Sequence, residues 1–113
     1  MADVVYVDVE DGSKRVMNNT KLFIKLLGKF KDDKSINDIE SLLAAGDLEK
    51  AQIAAHTIKG LTANLSLMEL NKQCVELEAQ IKAGNIPNEQ LAVVKDVYAK
   101  TLVEVDKVIS QYA

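Results

Sequence analysis

Hydrophobic residues recur at steps of three and four along most of this chain, the spacing that places them on one face of an α-helix. After Asn19, such a stripe predicts a first strong helix that stops near Lys31. Its apolar positions are Leu22, Phe23, Leu26, Leu27 and Phe30. A second helix is predicted to begin with Ser35 as its N-cap and to end at Gly46, a residue suited to the turn after a helix.

Capping residues predict two further helices. Asp47 is placed to cap a third helix, whose buried positions are Leu48, Ala51, Ala55, Ile58, Thr62 and Leu65. Ser66 and Glu69 have the spacing of a capping box and are predicted to open a fourth helix that ends at Gly84. The inner positions of this fourth helix are Leu67, Leu70, Cys74, Leu77 and Ile81.

A fifth and longest helix is predicted to start near Asn88. Its inner positions are Leu91, Val94, Tyr98, Leu102, Val105, Val108 and Tyr112. Because the linkers are short, we expect an all-α, up-and-down antiparallel four-helix bundle in a single domain over residues 1–113. Residues 18–113 would form the bundle, and residues 1–17 a lead-in. The Val-rich start has strand composition but no strand to pair with, so we expect an extended segment and a short helix from about Asp8 to Met17.

Composition narrows the choice of partners. The 113 residues carry 14 basic and 17 acidic side chains, the basic ones scattered along the chain, and no Trp, which argues against a nucleic-acid target. No apolar run approaches the roughly 18 residues that span a bilayer, and the start lacks a signal peptide, so we expect a cytoplasmic protein without a membrane partner. With one histidine and one cysteine, we expect no metal site and no cofactor of its own. Cys74 is expected to be a core residue.

His56 is therefore the residue on which chemistry would depend. It follows the buried Ala55, so it should lie at the margin of the bundle, with Gln52 one turn before it and Lys59 and Gly60 one turn after. A glycine inside a helix costs about 1 kcal/mol relative to alanine, which indicates that space is needed beside His56. The Lys59 ammonium can neutralise part of a phosphoryl group's charge. We find no carboxylate at one-turn spacing to act as a base, and no hydrolytic triad.

The run from Ala55 to Gly60 resembles the signature of histidine-containing phosphotransfer (HPt) domains, A-H-x-[LI]-K-G. The similarity extends over nearly the whole chain: Gly12, Arg15 and Asn18 resemble residues of the family's N-terminal helices, and Leu77 and Glu78 resemble residues of the helix after the histidine. It implies that His56 is the phosphoryl acceptor, Lys59 the charge partner, Gly60 the clearance residue and Gln52 an orienting residue. Partner contacts are expected at Ile53, Ala63 and Asn64 as well. The chain departs from the family pattern where Ser66 replaces a usual glycine and Leu61 a small residue, which puts the turn between the third and fourth helices in doubt.

The functional hypothesis is a phosphoryl carrier. Gly28 and Lys29 lack the surroundings of a P-loop, so the chain should not take phosphate from ATP, and we predict that it is not an enzyme. By the resemblance, His56 would receive a phosphoryl group from a receiver-domain aspartyl phosphate, on a response regulator or a hybrid sensor kinase, and pass it to another receiver aspartate. The receiver would supply Mg²⁺. We expect a monomer, and the starting Met favours a free-standing protein. The alternative is a helical adaptor that uses the same face without phosphotransfer.

Overall fold

The computed structural model describes residues 4–112, and that part of the chain is helical without a strand. Its helices are α1 (Val9–Arg15), α2 (Thr20–Phe30), α3 (Ser35–Ala44), α4 (Leu48–Asn64), α5 (Met68–Lys82) and α6 (Asn88–Gln111). The all-α prediction is confirmed, and each of the five helices predicted from the hydrophobic pattern is present. The predicted lead-in begins at residue 1, and its residues 1–3 lie outside the described part of the chain.

The long helices form the predicted bundle. Helix α4 packs between α3 and α5, and α6 closes the bundle against both α5 and α3. Helix α1 packs on α2, which covers α6. Two exposed ion pairs link α6 to neighbouring helices. Lys95 on α6 pairs with Glu40 on α3, and Asp106 on α6 pairs with Lys31 at the end of α2. The centre is apolar and fully buried, with Phe23, Leu27, Ile39, Ile58, Leu67, Leu70, Leu77, Val94 and Val105 among its largest side chains.

The capping predictions hold at some helix ends and fail at others. The Asp47 side chain accepts a hydrogen bond from the Lys50 N–H at 3.1 Å, as expected for the cap of α4. Gly46 has a φ of +76°, the left-handed conformation that glycine adopts most easily. The prediction that Ser35 is an N-cap is wrong, because Ser35 already lies in the first turn of α3. Its N–H donates to Asp33 Oδ1 at 2.8 Å, so Asp33 satisfies this end of the helix.

The predicted capping box at the start of α5 is also wrong. Ser66 has a φ of +55°, and its hydroxyl donates to Asp11 Oδ2 at 2.6 Å instead of capping the helix. The Glu69 N–H donates to the Val5 carbonyl at 3.0 Å, and the Asp8 N–H donates to the Ser66 carbonyl at 3.0 Å. The extended lead-in therefore forms its backbone hydrogen bonds with the α4–α5 turn. The Val5 carbonyl accepts the Glu69 N–H in the first turn of α5, which no side chain caps.

Helix α6 is rotated relative to its predicted stripe. Val97 and Thr101 are buried, although the sequence pattern did not place them inside. Tyr98 and Leu102 are only partly buried, and Tyr112 is 52% exposed. Thr101 can enter the core because its hydroxyl donates to the Val97 carbonyl at 2.7 Å, which leaves no unpaired polar group.

Candidate functional site

Helix α4 fixes the place of His56. Its buried positions Ala51, Ala55, Ile58 and Thr62 anchor one face in the core. His56 follows Ala55 and is turned about 100° away from it, so 70% of its side chain is exposed. The structure agrees with the expectation that the imidazole stands at the margin of the bundle, on a helix whose other face is buried in the core.

A carboxylate from α5 holds the inner edge of the imidazole. Glu78 Oε2 lies 3.0 Å from His56 Nδ1, and Glu78 Oε1 lies 2.5 Å from Lys59 Nζ. The Glu78 side chain is only 7% exposed, which means that this acid sits in the groove between α4 and α5. Its hydrogen bond to Lys59, and to a smaller extent that to His56, lower its pKa against the opposing effect of burial. Glu78 is therefore an anion at neutral pH.

This contact decides which ring nitrogen is available. A carboxylate accepts hydrogen bonds, so in the neutral imidazole the hydrogen belongs on Nδ1, facing Glu78. The lone pair then lies on Nε2, which has no hydrogen-bond partner among residues 4–112. An exposed ring whose Nδ1 is fixed by a buried carboxylate presents Nε2 as a nucleophile to a second molecule.

The space beside His56 is open. A Cβ built on Gly60 would meet no atom of residues 4–112 within 4 Å, apart from its chain neighbours and its own helix backbone. Packing within the molecule therefore does not require a glycine here. The same test at Gly12 gives the opposite answer, since a Cβ there would overlap the buried ring of Phe23.

The other predicted site residues surround His56 on α4. Ile53 is 62% exposed, and Asn64 is exposed as well. Gln52 and Ala63 are partly buried. These four side chains share the outward side of α4 with the imidazole, but none of them hydrogen-bonds to it. The structure thus brings Lys59 into a charge network through Glu78 and leaves Gln52 without a contact that would orient the ring.

Glu78 was not among the predicted site residues, because it lies on α5 and helical spacing around His56 indicates only neighbours on the histidine's own helix. The signal was present in the antiparallel register, in which residues at similar distances before and after the α4–α5 turn lie opposite each other. His56 precedes Ser66 by ten positions and Glu78 follows it by twelve. Glu78 also lies next to Leu77 on the buried side of α5, an unusual place for a charged residue. Asn71 was missed for the same reason, and it donates to the Lys59 carbonyl at 2.9 Å.

Neither a metal centre nor a membrane span is seen in the part of the chain that the structure covers. Residues 4–112 contain no group of three or more His, Cys, Asp or Glu side chains arranged to hold a metal ion. Among the same residues, no helix has the length and apolar character needed to cross a bilayer. Cys74 is buried in the core, as predicted, and burial raises the pKa of its thiol to about 12.

The fold and the site together define a helical-bundle protein that displays one exposed histidine, oriented by a buried acid. A protein-family model described as the Hpt domain matches residues 26–110, so the chain belongs to the Hpt family. Hpt domains are four-helix bundles that carry phosphoryl groups on histidine in phosphorelays; they interact with receiver domains and are carriers, not enzymes. No curated protein and no solved structure gives a significant match to the chain.

Proposed function

We propose that His56 Nε2 accepts a phosphoryl group from an aspartyl phosphate of a receiver domain and later passes it to the aspartate of another receiver. The observation that carries this proposal is the contact of Glu78 with Nδ1 of an otherwise exposed ring. The receiver, on a response regulator or a hybrid sensor kinase, supplies the Mg²⁺ that the transfer needs. This chain supplies the nucleophile and its orientation.

The transfer step needs no general base on this chain. The Nε2 lone pair forms a bond to phosphorus, while the bond from phosphorus to the carboxyl oxygen of the receiver breaks and its electron pair returns to that carboxylate. The imidazole keeps its hydrogen on Nδ1 and gains a positive charge, which the Glu78 anion at 3.0 Å stabilises. Reversal of the step on a second receiver aspartate returns His56 to its starting state.

Lys59, Gly60 and Gln52 have supporting roles in this proposal. The Lys59 ammonium holds the second oxygen of Glu78 and remains partly exposed, near enough to the site to offset phosphoryl charge. The open space at Gly60 admits the receiver backbone to within reach of Nε2. For Gln52, one turn before His56, the proposed role is a contact with the phosphoryl group after transfer; it makes no hydrogen bond to the ring in this structure.

The direct test is labelling by a phosphorylated receiver. The wild-type chain should acquire phosphate that is labile in acid and stable in base, and His56→Gln should not. Labelling of His56→Gln would overturn the assignment. Should a partner bind His56→Gln as tightly as wild type while neither is labelled, the chain is an adaptor that uses this face without phosphotransfer.

The role of Glu78 has a matched control on the same helix. Glu78→Gln should slow phosphotransfer about tenfold, the effect of weakening one charge-assisted hydrogen bond by about 1.4 kcal/mol. Among residues 4–112 the exposed Glu76 carboxylate bonds only to Gln80, so Glu76→Gln should leave the rate unchanged. Equal rates for the two variants would remove Glu78 from the mechanism.

A further inference from the structure

Side-chain hydrogen bonds join α4 to α5 at two levels of the bundle. Near the α4–α5 turn, the Asn71 side-chain amide donates to the Lys59 carbonyl at 2.9 Å and to the Thr62 hydroxyl at 3.2 Å. Further along α5, Glu78 contacts His56 Nδ1 and Lys59 Nζ. Lys59 therefore takes part at both levels, through its carbonyl at the first and through its ammonium at the second.

The chemistry of its partners fixes the orientation of the Asn71 amide. A backbone carbonyl only accepts hydrogen bonds, so the amide nitrogen, and not its oxygen, must face Lys59. The two hydrogens of that nitrogen are then used on the Lys59 carbonyl and the Thr62 hydroxyl. The buried Thr62 hydroxyl can accept, because its own hydrogen faces the Ile58 and Lys59 carbonyls at 2.9 and 3.0 Å. Asn71 thus ties α5 directly to the backbone of α4.

The two levels belong to the same antiparallel register. His56 precedes Thr62 by six residues, and Glu78 follows Asn71 by seven, so both pairs of residues face each other across the two helices. Seven residues make about two helical turns, a rise of about 10.5 Å that returns to the same side of the helix. An axial shift of α5 that breaks the Asn71 contact therefore moves Glu78 away from the imidazole by the same distance.

Apolar packing does not set this height by itself. Between the two levels the helices bury Ile58, Cys74 and Leu77, and the attraction between such side chains has no direction. A hydrogen bond from a nitrogen to an oxygen holds its atoms within a narrow range, about 2.7–3.2 Å. In coiled coils, one polar residue in an apolar interface is enough to specify the register of the helices. Asn71 has the same place in the interface between α4 and α5.

We propose that Asn71 is a positioning residue for phosphotransfer: by tying α5 to the Lys59 carbonyl, it holds Glu78 level with the imidazole of His56. This inference rests on the proposed phosphotransfer. Asn71 acts through Glu78, which is the residue that contacts the ring. With Asn71 removed, the Glu78 carboxylate is held less closely to Nδ1, so the ring hydrogen exchanges between the two nitrogens and Nε2 loses its lone pair for part of the time.

The test compares two amides that make the same kind of contact, both half-buried. Asn71→Leu replaces the amide with an apolar side chain of the same branching, and the Lys59 carbonyl keeps the Thr62 hydroxyl as a partner. Gln90→Met is the matched control on α6. The Gln90 amide donates to the Gln73 carbonyl at 2.9 Å and to the Gln73 side-chain oxygen at 3.0 Å, which ties α6 to α5. Neither variant changes the net charge.

The first readout is the nitrogen NMR spectrum of the His56 ring, recorded without a partner at a pH where the imidazole is neutral. Wild type and Gln90→Met should show the hydrogen on Nδ1 and none on Nε2. In Asn71→Leu the chemical shifts of the two nitrogens should move toward each other, because the second tautomer becomes populated. Unchanged shifts in Asn71→Leu would overturn the proposal, since a residue that only stabilises the fold does not affect the tautomer.

The second readout is the rate of phosphotransfer from the receiver domain that labels wild type fastest in a panel. Asn71→Leu should slow transfer about fivefold, with Gln90→Met within about twofold of wild type. In a Glu78→Gln background, Asn71→Leu should slow transfer by less than about twofold, because the carboxylate that it positions is already gone. An equal loss in both backgrounds would show that Asn71 does not act through Glu78 and would overturn the proposal.

The outcomes separate this inference from the proposed function. If no receiver labels the wild-type chain, the proposed function fails, and the nitrogen shifts alone decide whether Asn71 holds Glu78 against the ring. If wild type is labelled and Asn71→Leu matches it in both readouts, the phosphotransfer proposal stands and the positioning role is wrong. Asn71→Ala, whose smaller side chain fits the same space, gives both readouts if leucine disturbs the fold.

Discussion

Replacing Gly60 should make the protein more stable and a poorer carrier. A Cβ at this position meets no neighbouring atom within 4 Å in the described part of the chain, so alanine fits without strain. An alanine in a helix interior is about 1 kcal/mol more favourable than a glycine. For a domain of 113 residues we expect Gly60→Ala to raise Tm by about 4 °C. Urea or thermal unfolding measures this gain directly.

Two other helical glycines serve as controls for stability. Gly28 on α2 also has open space around its Cβ, so Gly28→Ala should raise Tm by a similar amount. Gly12 on α1 is the opposite case, because a Cβ there overlaps the Phe23 ring, and Gly12→Ala should cost about 1–3 kcal/mol. A loss of stability in Gly60→Ala would show that the space beside His56 is not open.

The rate of phosphotransfer should distinguish a substitution at Gly60 from the same substitution at Gly28. A leucine at Gly60 stands one helical turn from the imidazole and holds the receiver away, so Gly60→Leu should slow phosphotransfer by about tenfold or more. Gly28→Leu, on α2, should transfer within about twofold of wild type. If Gly60→Leu transfers phosphate as fast as Gly28→Leu, the glycine does not provide clearance and the reasoning is refuted.

Three further predictions concern Glu78, Cys74 and Ser66. Because the folded-state pKa of Glu78 is lowered, the stability that its pairing with Lys59 contributes is fully present above the ordinary pKa of a glutamate and is lost as the pH falls below it. The free energy of unfolding, measured in urea between about pH 5 and pH 3, should therefore fall more steeply for wild type than for Glu78→Gln. Parallel curves for the two proteins would contradict this. The buried Cys74 thiol, with its pKa raised to about 12, should react with a thiol reagent only when the protein unfolds, and fast reaction of the native protein would contradict its burial. Ser66→Ala should be less stable than Ser66→Gly by about 1–2 kcal/mol, since both lose the hydrogen bond to Asp11 but only alanine keeps the left-handed strain; equal stabilities would show that the strain is absent.

Helix positions were predictable where one repeated spacing decides burial. The inner residues of α4 and α5, from Ala51 to Ile81, are buried as the pattern predicts because each helix presents one apolar stripe to the same core. The pattern failed on α6, where the buried Thr101 is polar and satisfies its hydroxyl within its own helix. The pattern could not choose between this position and the adjacent Leu102, whereas the equally polar Thr62 of α4 was predictable from the single stripe around it.

The caps and the acid of the site depend on contacts between distant parts of the chain. Ser66 and Glu69 have the spacing of a capping box, yet the Val5 carbonyl takes the Glu69 N–H. The role of Glu78 depends on the register between α4 and α5, which sets the carboxylate opposite His56. The histidine, lysine and glycine of the site lie within one helix and could be found from spacing, whereas the residue that orients the imidazole could not.

The measurement that tests the central claim most directly is a reconstituted relay. A phosphorylated donor receiver, this chain and an acceptor receiver are mixed, and the phosphate on the acceptor is followed with time. We predict that wild type carries phosphate to the acceptor and that His56→Gln, folded to the same helical content, carries none. Equal transfer with His56→Gln, or transfer that needs no added chain, would contradict the claim that His56 is the phosphoryl carrier.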